Sequence, residues 1–141
     1  MPAKANAEWQ GDLRSGAGTF TAGDSIQGEY SFHSRFEDGP GANPEQLIGA
    51  AHAACFSMAV SNALAQAGTP VDSVKTDAVV TIRQIDGQAT IASIGLRTVG
   101  VVPGIDQATF ERFAQDAKAG CIVSRALAAV PEITLEATLA G

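Results

Sequence analysis

Asn43-Pro44-Glu45-Gln46-Leu47-Ile48-Gly49-Ala50-Ala51-His52-Ala53-Ala54-Cys55-Phe56-Ser57-Met58 is the stretch on which the reading of this chain turns. Asn43 is a good helix N-cap, Pro44 suits the first helical position, and Gln46 can reach back as in a capping box. Gly68 supplies a left-handed stop with Pro70 just beyond, so the helix is predicted to run to about Ala67. From Leu47 to Leu64 it is Ala-rich and apolar on nearly every side, which suits a core and not a surface. A chain of 141 residues has little core with which to surround such a helix. A dimer that shares the helix would supply the missing cover.

Outward from this helix the chain alternates between strand and helix signals. Upstream, Ala5 to Asp12, Gly18 to Ala22 and Gly28 to Ser34 read as three short strands with Gly-bounded turns. The alternation of Tyr30, Phe32, Ser34 and Phe36 supports the third. Gly16-Ala17-Gly18 is too short for a dinucleotide fingerprint and reads as a turn. Downstream, Val71 to Ile85 and Ala89 to Val102 read as two long strands joined at Asp86-Gly87, a strong hairpin signal. Asp106 can cap a helix over Gln107 to Lys118, Cys121 to Ala129 reads as a short helix, and Glu132 to Leu139 alternates as a strand. The fold class is α+β: antiparallel sheets packed around a long central apolar helix, in a single domain over residues 1–141.

Composition narrows the function. A net charge of −6 gives no basic surface for nucleic acid or for anionic membranes. The start, from Met1 to Trp9, lacks the apolar segment of a secretory signal. The longest apolar run, Leu47 to Val60, is about 14 residues, short of a membrane span. A cytoplasmic location is therefore expected. There the two cysteines, Cys55 and Cys121, are expected to be reduced and either catalytic or metal-binding.

Taken singly, Cys55 reads as a small buried hydrophobe in the apolar helix. Cys121 sits at a Gly-preceded helix start, a setting that favours thiolate. Their separation excludes a Cys-x-x-Cys redox motif and a two-cysteine zinc knuckle, and permits a long-range disulfide if the backbones approach. His52 shares a helix face with Cys55, which leaves a Cys–His nucleophilic pair or a metal site open. No third orienting residue for a hydrolase is evident. Read alone, His52 is a structural histidine, bonded to backbone or lying at the helix surface.

The Asn43–Met58 stretch resembles the core motif of the OsmC/Ohr family of thiol-dependent organic hydroperoxide peroxidases. Thr19-Phe20, Ser34-Arg35-Phe36-Glu37, Val102-Pro-Gly-Ile-Asp106 and Lys118-Ala-Gly-Cys-Ile-Val-Ser124 fit its OsmC branch in the same order. The resemblance implies an OsmC-like intertwined homodimer without a cofactor or metal. It implies a peroxidatic cysteine at Cys55, a resolving cysteine at Cys121, an Arg at Arg35 and a Glu at Glu45. Its substrate would be an organic hydroperoxide and its reductant an external dithiol, such as a lipoylated protein, in oxidative or osmotic stress defence. One departure is visible: the family commonly has Pro after the resolving cysteine, and this chain has Ile122.

That constellation suits peroxide reduction. A free cysteine near pKa 8.5 is only about 3% ionised at pH 7. Making a thiol mostly thiolate asks for about 2.7 kcal/mol, which one partly buried guanidinium can supply. Arg35 would also hold the peroxide oxygens, and Glu45 would orient Arg35 through a bidentate pair. Read singly, Arg35 is a surface residue pairing with Glu37 or Asp38, and Glu45 complements the helix dipole. An apolar pocket lined by Phe36, Phe56 and Met58 would favour organic peroxides. Glu45 and Cys55 lie about 15 Å apart along a straight helix. Either the helix breaks near Gly49, or Glu45 serves the cysteine of a second subunit. A redox-sensing or ligand-binding module of the same fold is the alternative function.

Overall fold

The long helix begins and ends as its sequence dictates. In the computed structural model, which describes residues 1–140, it spans Pro44–Gln66 (α2) without interruption. Asn43 Oδ1 accepts from the Gln46 amide at 2.8 Å, the forward half of the expected capping box. Gly68 takes φ 90°, and the Thr69 amide donates back to Leu64 O at 2.9 Å while Gly68 N–H reaches Ala65 O at 3.0 Å. These are the two bonds of a Schellman stop.

The chain divides into two compact units, Met1–Leu47 and Ile48 onward. In the first, β1 (Ala5–Gln10), β2 (Ala17–Ala22) and β3 (Ile26–Tyr30) form an antiparallel meander. Gly18 lies in β2 as the Gly18–Ala22 strand reading has it, and Ala17, expected in a turn, begins the strand. The third strand stops at Tyr30, short of the expected Ser34. The next residues form a helical turn, α1 (Phe32–Phe36), because Ser31 and Ser34 close a reciprocal capping box. Ser34 Oγ also donates to Ala42 O at 2.7 Å, and Asn43 Nδ2 donates to Ser34 O at 2.9 Å. The loop after α1 is thereby tied to the turn that carries Arg35.

The second unit holds β4 (Ser73–Ile85), β5 (Gln88–Val101), α3 (Gln107–Gly120), α4 (Ile122–Ala126) and β6 (Glu132–Leu139). Asp86 and Gly87 both take positive φ, 51° and 79°, the geometry of a two-residue hairpin turn. The register slips between Thr81 and Ile82, which leaves Ala92 as the extra residue on β5. The sheet order is β4-β5-β6, and β6 runs parallel to β5. The expectation of purely antiparallel sheets is corrected here. α3 and α4 lie in the β5–β6 connection and return the chain to the end where β5 began, so the next strand runs alongside it. Gln107 secures that strand, donating to Ala137 O and accepting from the Leu139 amide.

The core of this unit gathers Phe56, Val60 and Leu64 of α2, Ile94 and Leu96 of β5, and Phe110 and Ala114 of α3. Burying each large side chain contributes about 1.5–3 kcal/mol. Sheet and helix approach closely at Gly100, where an added Cβ would stand 2.4 Å from Phe110 Cε1. A hydroxyl chain links α2 to the sheet: Ser57 Oγ lies 2.7 Å from Thr76 Oγ1, itself 3.0 Å from buried Thr98 Oγ1. It fixes the rotation of α2 and therefore the direction of Cys55.

α2 has the length expected of it, but its apolar character extends past the Leu47–Val60 run. By length and composition it could cross a membrane, with a mean hydropathy of 1.4 over 18 residues. The polar residues beyond Val60, such as Ser61 and Asn62, carry no charge and do not break the apolar average. Here it is a partly buried core helix, with His52, Phe56, Val60 and Leu64 sealed along one stripe. The opposite stripe, Ala50, Ala51, Ala54 and Met58, is exposed, Met58 at 74%.

Candidate functional site

The two sulfurs meet in the second unit. Cys55 lies about three turns into α2, and Cys121 is the hinge residue between α3 and α4. Cys121 N–H closes α3 on Ala117 O, and Cys121 O accepts the first bond of α4. So held, Cys121 Sγ lies within hydrogen-bonding reach of Cys55 Sγ, at 2.9 Å. Both cysteines are free thiols, Cys121 buried and Cys55 partly so. Closing a disulfide requires about 0.9 Å of further approach.

The surroundings of Cys121 favour its thiolate. Burial pushes its pKa up, but hydrogen bonding with Cys55, the Ser124 amide and hydroxyl and the Val123 amide outweighs this and holds it below the usual thiol value. The amides act on the sulfur through proximity at the start of α4, since Sγ makes no regular capping bond there.

Ser124 has a second neighbour. His52 Nε2 lies 2.7 Å from Ser124 Oγ, and both residues are buried. The expectation of a histidine on backbone or at the helix surface is corrected: His52 continues the stripe of Phe56, Val60 and Leu64 at four-residue spacing. Burial lowers its pKa. Its Nδ1 is buried without a partner. Among the described residues, no three His, Cys, Asp or Glu side chains come together as a metal set.

In the first unit Arg35 and Glu45 form a fork. Arg35 Nη2 donates to Glu45 Oε1 at 2.7 Å, and Nε donates to Oε1 at 3.1 Å and Oε2 at 3.3 Å. The Glu45 side chain is 8% exposed and that of Arg35 40%. Arg35 therefore pairs with neither Glu37 nor Asp38, and Glu37 instead meets His33 at 2.7 Å. The Arg35 guanidinium also sits 5.2 Å over the Phe36 ring. A cavity of about 420 Å³ opens beside it, lined by Trp9, Leu13, Tyr30, Phe32 and Phe36. Of the three residues expected around a substrate pocket, only Phe36 lines this one. Phe56 is sealed in the core and Met58 lies on the exposed stripe of α2.

A pair of free sulfurs 2.9 Å apart belongs to thiol redox chemistry, and comparison with known proteins agrees. The model of the OsmC-like protein family matches residues 37–136. The chain belongs to the OsmC-like family. It is 47% identical to Peroxiredoxin OsmC of Escherichia coli over 94% of this chain and 93% of that one, and equally to Peroxiredoxin OsmC of Shigella flexneri. The fold matches an OsmC-like protein of Vibrio cholerae, with a TM-score of 0.77 at 18% identity, covering 97% and 99% of the two chains. It also matches the organic hydroperoxide resistance protein OhrB of Bacillus subtilis, with a TM-score of 0.68 at 21% identity over 97% and 98%. Within the OsmC match lie Glu45, Cys55 and Cys121, and Arg35 stands two residues before it. Sequence reasoning missed Ser124 as part of the site. Its only local signal was spacing, three residues after Cys121 as His52 is three before Cys55.

Proposed function

We propose that this OsmC-family protein is a cofactor-independent thiol peroxidase that reduces organic hydroperoxides in oxidative and osmotic stress defence. The observation that carries the reading is the 2.9 Å approach of Cys121 Sγ to Cys55 Sγ. Cys55 thiolate attacks the O–O bond, an alcohol leaves, and the sulfur becomes a sulfenic acid. Cys121 then displaces water to form the Cys55–Cys121 disulfide, which an external dithiol, of the lipoylated-protein kind, reduces. Glu45 orients Arg35, and Arg35 stabilises the thiolate and the departing alkoxide. The forked pair, with its carboxylate nearly sealed from water, supports that role.

The working form is an intertwined homodimer of single-domain subunits in the cytoplasm. Three features support the dimer. α2 is unbroken through Gly49, so Glu45 and Cys55 are ten residues apart on one helix, about 15 Å. The Ala50–Met58 stripe of that helix is exposed and apolar. An open apolar cavity also lies on the first sheet, among Ala5, Ala7, Phe20, Ala22 and Leu47. Peroxide consumption driven by a dithiol tests the chemistry. Cys55→Ser should abolish turnover, and Cys121→Ser should allow one turnover and leave a trappable sulfenic acid. Sustained turnover by the Cys55→Ser protein would overturn the assignment.

A further inference from the structure

The two buried polar residues beside the sulfurs repeat the geometry of the sulfurs themselves. His52 precedes Cys55 by one turn of α2, and Ser124 follows Cys121 by one turn of α4. The His52–Ser124 contact therefore joins the same two elements as the sulfur pair, one turn along.

Its direction follows from the unpartnered Nδ1. A buried N–H without an acceptor costs more than a bare ring lone pair, so the neutral tautomer with hydrogen on Nε2 is favoured. Nε2–H then donates to Ser124 Oγ. Ser124 stands on α4 three residues beyond Cys121, so this buried bond ties α4 to α2 beside the sulfur pair. Neither residue is needed to fill the core. An apolar side chain in place of His52 would leave no unpaired ring nitrogen, yet a histidine stands there fully buried.

We propose that His52 and Ser124 are positioning residues for the second step, a buried clamp between α2 and α4 that holds the resolving Cys121 against oxidised Cys55. This rests on the two-cysteine peroxidase reading. In that step the Cys121 thiolate attacks the Cys55 sulfur, the S–S bond forms and the S–OH bond breaks. Cys121 is oxidised and the sulfenyl sulfur of Cys55 reduced. The hydroxide leaves as water, taking up the equivalent of the proton lost by Cys121. The His52–Ser124 bond holds α4, and with it the attacking sulfur, against α2 while the new bond forms.

The test separates the two steps in the full-length protein. One equivalent of cumene hydroperoxide is added without reductant. Peroxide loss reports attack by Cys55, and competition between a cyclic 1,3-dione trap and disulfide formation, read by mass spectrometry, reports closure. Ser124→Ala and His52→Leu should slow closure relative to attack by about tenfold, the worth of one hydrogen bond. His52→Gln, which keeps an N–H donor near the Nε2 position, should restore most of that ratio. An unchanged ratio in Ser124→Ala, or equal slowing of both steps in Ser124→Ala and His52→Gln, would overturn the proposal. Should His52→Leu fail to fold, the Ser124→Ala and His52→Gln ratios decide. Failure of the wild-type protein to form any disulfide would instead overturn the peroxidase reading beneath it.

Discussion

Oxidation should stabilise this protein by an amount set by where the two sulfurs lie in the chain. Cys55 and Cys121 are 66 residues apart, and closing a loop of that length removes about 4 kcal/mol of chain entropy from the unfolded state. Little of this is offset by strain in the folded state, because the sulfurs already stand 2.9 Å apart and need about 0.9 Å of movement. For a protein of this size each kcal/mol is worth about 3–5 °C, so the melting temperature should rise by roughly 10–20 °C. The assay is calorimetry of fully reduced protein against protein treated with one equivalent of an organic hydroperoxide. Disulfide content is checked by thiol counting, and Cys55→Ser serves as the blank. A rise below a few degrees in protein whose disulfide is verified as intrachain would refute the reasoning. A disulfide that links two chains on a non-reducing gel would refute the pairing itself.

Replacing Arg35 with Lys keeps the charge but loses the fork on Glu45, and should lower kcat/KM for an organic hydroperoxide by at least tenfold. Glu45→Gln should do the same, and steady-state kinetics checks both. Gly100→Ala forces a Cβ to within 2.4 Å of Phe110 Cε1 and should cost about 1–3 kcal/mol in urea unfolding. His52 has a folded-state pKa below its unfolded value. The unfolded chain therefore binds the extra proton first. The contribution of His52 is fully present above the unfolded pKa and is lost as pH falls through it toward the folded value. Stability against pH should be flatter below neutrality in His52→Gln, as read by denaturant midpoints.

What could be read from the sequence was governed by local chemistry. Asn43, Pro44 and Gly68 bracket α2 because caps and stops act within a few residues, and Asp86-Gly87 adopts the positive φ pair that its hairpin needs. The Tyr30–Phe36 alternation misled because a period of two competed with a capping box at Ser31 and Ser34, and the box gained further bonds to the Asn43 loop. The direction of β6 is not written in its own alternation, since period-two burial is the same in parallel and antiparallel strands. The burial of His52 was not read from the sequence, because a helix apolar on nearly every side shows no stripe that stands out. Its partner was hidden too, because Ser124 lies 72 residues away and reaches His52 only through the tertiary fold. The proximity of the sulfurs was likewise inaccessible from spacing and entered through the family resemblance.

The unbroken α2 makes the division of labour between subunits testable. Arg35 is bound to Glu45 within its own chain, and Glu45 is separated from Cys55 of that chain by ten residues of continuous helix. If the fork serves Cys55 of the partner subunit, the Arg35→Met and Cys55→Ser chains, each inactive alone, should complement when refolded together. A mixed dimer then carries one site built from the intact Cys55 of the first chain and the intact Arg35 of the second. Random pairing makes about half of the dimers mixed, each with one working site of two, so roughly a quarter of wild-type activity should return. If the fork serves the cysteine of its own chain, every site in every dimer lacks either the thiol or the guanidinium. Activity would then stay at the level of the separate variants. Mixed dimers isolated by two different affinity tags, assayed for dithiol-driven peroxide consumption, distinguish half-activity from none, and the absence of recovery would exclude a shared site.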